Sequence, residues 1–194
     1  KSVVNDYLKE GIAHTLDETR NLSDSGQFED ISLQQGIRQI LYPYEEMEVL
    51  NPEWEVILKD IIDSLFEQMS DEEYNILNEE FGTYMVSRAY EYRQLLEYLV
   101  FRYFAKSIYD YDFLGKCQML VTNFFVIRQM DIIRWLDNHR EYSFKDRMDV
   151  VHIFSRQVEY SEDNIENLYE DFIFDDIFKT DSLIAILWID SENI

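Results

Sequence analysis

The sequence predicts an all-α fold: a single irregular bundle of about six to eight helices. Three observations carry that expectation. Apolar residues recur at three- and four-residue steps along most of the chain, the spacing of one helix face. Five Gly and two Pro in 194 residues leave little material for hairpins and tight turns. Helix-start signatures open several of the apolar stretches, at Asn51-Pro52-Glu53, at Ser70 with Glu73, and at Ser143 with Asp146.

In chain order, residues 2–22 place Val4, Leu8, Ile12 and Leu16 on one helical face, and Asn21–Phe28 reads as a loop. A short helix is expected over Ile31–Leu41, broken by Tyr42-Pro43-Tyr44, because Pro disfavours helix at the residue before it. The next begins at Asn51 and turns Trp54, Ile57, Leu58, Ile61, Ile62 and Leu65 to one side. Another opens at Ser70 and runs to about Met85, with Gly82 weakening or ending it.

Glu91–Glu166 then reads as three consecutive long helices with a few charges lodged inside their apolar stripes. The first carries Tyr92, Leu95, Leu96, Leu99, Val100, Tyr103 and Phe104. The second carries Cys117, Val121, Phe124, Phe125, Ile132, Trp135 and Leu136. The third is expected to turn Met148, Val151, Phe154 and Val158 inward. Ser161 caps a further helix to about Phe174, and Leu183–Ile189 is apolar enough to dock on the rest. The expectation is one all-α domain over 1–194. Its less regular start is 1–49, its core 50–168, and its docked C-terminal helices 169–194.

Charge narrows the function. Forty Asp and Glu against 17 Lys and Arg give a net charge of -23, which repels phosphate. Nucleic-acid and anionic-membrane binding are disfavoured, and a basic partner is favoured. The apolar runs are too short to span a bilayer, and the start of the chain is polar, unlike a signal peptide. One cysteine, Cys117, allows no disulfide framework and fits a reducing, cytoplasmic setting. On an apolar face it reads as core.

Arg128 lies on the stripe of Val121, Phe124, Phe125 and Ile132. A lone buried charge costs roughly several kcal/mol, so a carboxylate should meet it, with Glu97 and Glu159 the first candidates. Asp149, His152, Arg156 and Glu159 fall in one helical sector, as a lined site or as a solvated face. Metal sites look poor. Asp149 with His152 is half of a carboxylate–His pair, and Glu10, His14 and Glu18 merely share a face. No Gly-rich phosphate loop, G-x-S-x-G elbow or HExxH motif is present.

Several runs resemble the bacterial flagellin lysine-N-methylases. Leu96-Glu97-Tyr98-Leu99-Val100-Phe101-Arg102-Tyr103-Phe104 with Tyr109-Asp110 is similar to that family's L-E-N-x-L run. Ile127-Arg128 and Arg134-Trp135-Leu136 are similar to its I-R and r-W-L. Phe154–Asn164 resembles its y-S-R-E-v-E-H-S-e-e-N, and Leu50–Trp54 its L-n-x-x-W. The similarity is good over about 50–168 and weaker before it. Tyr98 stands where the family usually has Asn, and Tyr160 where it has His.

The resemblance implies methyl transfer from S-adenosylmethionine to lysine side chains of flagellin. The candidate site residues are then Glu159 and Tyr160 as catalytic groups, with Arg128, Arg156 and Glu97 orienting substrate or cofactor. It also implies a cysteine-rich segment with an iron–sulfur cluster. With one Cys, this chain would correspond to the C-terminal helical part of such a protein, inactive without that segment. A non-catalytic acidic module that binds a basic partner is the alternative.

Overall fold

Helix α1, Leu33–Glu45, starts where the Ser32 hydroxyl accepts from the Gln35 N–H. This computed structural model describes residues 31–192. The expected 2–22 helix, the Asn21–Phe28 loop and the Glu10–His14–Glu18 face lie outside them. Contrary to the expected break at Tyr42–Tyr44, α1 continues through Pro43. A proline in the last turn costs one backbone hydrogen bond, to the carbonyl of the exposed Gln39, and little helix remains to be disturbed.

Helix α2, Pro52–Ile61, has Asn51 as N-cap and Pro52 in its first turn, and it ends in a π-helical turn over Ile62–Glu67. It buries Trp54, Leu58 and Ile61, with Leu65 following in the π turn. Burial stabilises by roughly 1.5–3 kcal/mol for each aliphatic or aromatic side chain of this size. Helix α3, Asp71–Met85, opens on the expected capping box. It passes through Gly82, which is buried, instead of ending there.

Helix α4, Ala89–Tyr103, buries Glu91, Leu95, Leu99 and Tyr103. Its apolar face is narrower than expected, since Val100 is exposed. After a one-turn helix, Ser107–Asp110, comes α5, Phe113–Asp137, the longest at 25 residues. Its N-cap Asp112 accepts from the Gly115 N–H, and a Cβ on Gly115 would lie 2.2 Å from the Asp112 Oδ2. Any larger residue there would have to push the Asp112 carboxylate out of its capping position.

Helix α6, Phe144–Phe154, also starts on a capping box and passes into a π-helical turn, Ser155–Glu159. The expected inward set is corrected here. Met148 is exposed, and Arg147, Val150, Ile153 and Phe154 face the interior. The phase is set by Arg147, whose guanidinium is neutralised inside. Helices α7, Glu162–Phe174, and α8, Thr180–Glu192, complete the chain.

All regular structure among the described residues is helical. Helix α5 is the axle, packed by α1, α2, α4, α6, α7 and α8. One core cluster runs from Leu33 to Ile186, with the docked α8 contributing Leu183 and Ile186. Gly36 of α1 brings α8 close, since a Cβ there would meet Ile186 at 2.9 Å. Gln157 and Asn164 tie down the entry to α2. The Gln157 Oε1 accepts from the Leu50 and Asn51 N–H groups, and Asn164 bonds both N–H and C=O of Glu48.

Candidate functional site

The expected site residues separate into three environments. Arg128 is buried, 3 % exposed. Its partner is neither Glu97 nor Glu159. The guanidinium donates to Asn78 Oδ1 at 2.8 Å and faces Asp190 of α8 at 3.6 Å. Asn78 also donates to Asp190 at 2.8 Å, closing a triad between α3, α5 and α8. The pairing was not legible because Asp190 reaches Arg128 only through the docking of α8.

Glu97 is exposed on α4, opposite Arg93 at 4.0 Å. Asp149, His152, Arg156 and Tyr160 are exposed as well. Glu159 is not on their stripe. The π-helical turn inserts an extra residue per turn and rotates Glu159 inward, where it is 8 % exposed. There it accepts from the Tyr98 hydroxyl at 2.7 Å, Ser155 at 2.7 Å and Tyr103 at 3.2 Å, with Arg102 at 3.7 Å. Burial and the bond to Glu159 push the Tyr98 phenol up to about 12. The chain of bonds continues inward from Tyr103 through Asn123 to Tyr44. Arg128, Arg156 and Glu159 therefore share no partner.

A second buried network was missed. Asp131 of α5 is fully buried and accepts from Tyr92 at 2.7 Å, from Tyr142 and from Arg147. Arg147 also faces Glu91 at 3.6 Å, and Glu91 pairs with Arg88 at 2.8 Å. The signal was available, since Asp131 sits in the same apolar run as Arg128. This network fastens α4 and α6 to α5, and its Tyr142 also lines a groove with Tyr84, Asn138 and Asp146.

The groove with the most suggestive chemistry lies between α2, the second half of α5 and α6, and holds about 390 Å³. Val56, Ile57, Ile133 and Ile153 line it with apolar surface, and Glu53, Asp60, Asp137 and Arg134 add charge. Two of the family-like runs, Leu50–Trp54 and Arg134–Leu136, contribute to this lining through Pro52, Glu53 and Arg134.

No group of three or more His, Cys, Asp or Glu side chains suited to a metal ion occurs among the described residues. The single Cys117 is half-buried, with its thiol pushed up by burial, and does not make an iron–sulfur ligand set. No helix of the described residues is long and apolar enough to cross a membrane.

A family model for the FliB lysine N-methylase C-terminal domain matches residues 1–186. The chain belongs to that family. The match reaches well beyond the 50–168 stretch in which the resemblance is clearest, taking in α1 and most of α8. No curated protein and no solved structure matches the chain.

Proposed function

We propose that this FliB-type domain serves the methylation of lysine side chains of flagellin, with S-adenosylmethionine as the methyl donor. The family match over residues 1–186 carries the reading. S-adenosylmethionine supplies a methyl group on a sulfonium, whose carbon a neutral amine takes while the electrons of the S–C bond return to sulfur. The donor set of the α2–α5–α6 groove suits such a ligand. It combines apolar walls with three carboxylates and one guanidinium.

A lysine must lose a proton before it can accept the methyl, so the domain's work is to receive an ammonium and hold its proton. The net charge of -23 favours the approach of a lysine-bearing partner. Glu159 and Tyr160 are the proposed acid and phenol on the lysine's path. Tyr98, Tyr103 and Arg102 hold the Glu159 carboxylate in place, and Tyr160 stands exposed beside it. Arg156 and Glu97, both exposed, are proposed to orient the substrate chain, while Arg128 acts through the fold.

The test is methyllysine formation on flagellin by the protein that carries this chain, followed by mass spectrometry and by calorimetric binding of S-adenosylmethionine. Glu159→Gln should lower transfer by roughly a hundredfold, in line with a general acid–base group, well beyond what the lower melting temperature expected from unpairing Arg102 accounts for. Binding of flagellin without any methyl transfer, and without donor binding, would favour the non-catalytic acidic module instead.

A further inference from the structure

We propose that the groove between α2, α5 and α6 binds the S-adenosyl methyl donor, with Arg134 as the receptor for its carboxylate. The inference rests on the methylase reading and adds a place for the donor.

The observation that carries it is a missing partner. Acids outnumber bases 40 to 17, so a cation here should find a carboxylate easily. Every other buried or half-buried Lys or Arg among the described residues has done so. Arg38 pairs with Glu45, Arg88 with Glu91 and Arg102 with Glu159. Lys116 pairs with Asp110, Arg128 with Asp190 and Arg147 with Asp131. Arg134 is half-buried, lines the groove, and has neither an ion pair nor a side-chain hydrogen bond. Its charge is felt only through space, where it helps to lower the pKa of Asp146. A guanidinium fork that is partly desolvated and unpaired suits a ligand carboxylate, which it can grip through two parallel bonds.

The remaining lining selects among carboxylate ligands. Glu53, Asp60 and Asp137 disfavour phosphates, which excludes nucleotides. They suit an ammonium, a sulfonium and the hydroxyls of a ribose. Val56, Ile57, Ile133 and Ile153 offer apolar walls for a flat heterocycle. About 390 Å³ lies within the range of small-molecule sites. The groove of about 660 Å³ beside α7 does not offer the same chemistry. It is lined by Lys179, which is engaged by Asp176, and its neighbour Lys116 is engaged by Asp110 and Asp112. With the donor in the α2–α5–α6 groove, Asp60 and Asp137 are the carboxylates beside it.

The experiment compares S-adenosylmethionine with 5′-methylthioadenosine, which keeps the adenosine and sulfur but lacks the amino acid. Both are titrated calorimetrically into the wild-type chain, Arg134→Gln and Val56→Trp. Arg134 has no partner to lose and Val56 is 60 % exposed, so both variants should fold, as circular dichroism would verify. Arg134→Gln should weaken S-adenosylmethionine by roughly 10- to 100-fold, the range for a charged hydrogen-bonded contact, and leave 5′-methylthioadenosine unchanged. Val56→Trp should weaken both. Unchanged S-adenosylmethionine binding in Arg134→Gln overturns the proposal, as does an equal loss of both ligands in that variant. So does an absence of donor binding to the wild-type chain. If methyllysine still forms on flagellin in any of these cases, the methylase reading survives without this groove. If no methyllysine forms and no donor binds, both fall.

Discussion

A guanidinium that is 3 % exposed in the middle of the longest helix must be neutralised where it lies. At Arg128 the closer bond is to Asn78, at 2.8 Å, and the charge that balances it is Asp190, at 3.6 Å. Asp190→Ala would leave the cation buried with only an amide for company. Unfolding in denaturant should show a loss of roughly 3 kcal/mol, the low end for breaking a buried pair, because the separation is generous. A loss below about 1 kcal/mol would mean that Asn78 suffices. The burial of Arg128 was legible from its spacing against Val121, Phe124, Phe125 and Ile132, which needs only helical geometry. Its partner was not legible, since nothing in local periodicity says which distant helix docks there. Glu159 failed differently, because its expected stripe assumed an unbroken 3.6-residue period through a π-helical turn.

Among the elements, the helix starts were the most legible, because capping chemistry is contained in four neighbouring residues. Ser70 with Glu73 and Ser143 with Asp146 both form the reciprocal box. Backbone and hydroxyl bonds from Ser70 hold the Glu73 carboxyl below its ordinary value. Burial works against Asp146, and its bonds from Ser143 and Asn138 prevail, so it is lowered too. A carboxyl with a depressed folded-state pKa stabilises the fold above its unfolded value, about 3.9 for Asp and 4.3 for Glu. That contribution is lost as pH falls through the folded-state pKa. Ser143→Ala should therefore cost about 1 kcal/mol at neutral pH and distinctly less near pH 3. Urea midpoints at the two pH values would measure both, and a cost independent of pH would refute the coupling. Ends and phases were less legible than starts. Proline at 43 was read as a break and glycine at 82 as weakening or ending a helix to about Met85; both helices run on, since tertiary burial outweighs a local cost of this size. The face of α6 was misread because an inward Arg147 looks polar until Asp131 is placed against it.

On the scale of the molecule, the all-α class followed from few Gly and Pro and pervasive helical spacing, and it needed no contact information. The packing did. Helix α8 was expected to dock because it is apolar, but where it docks depends on Gly36, which leaves room for Ile186. Ile186 is fully buried, so Ile186→Ala should cost roughly 2–5 kcal/mol in thermal or chemical unfolding. A cost near zero would mean that α8 is not part of the cooperative fold. The docking of α8 also bears on biosynthesis. The charge at the heart of α5 is met by an acid about 60 residues further along the chain. At the usual 5–20 residues per second, a ribosome would need roughly 3–12 s to deliver it after Arg128 is made. During that interval the nascent helices can collapse, but the middle of α5 holds an unanswered cation. The domain should therefore stay open to chaperones and proteases until α8 has left the exit tunnel and brought Asp190 to Arg128.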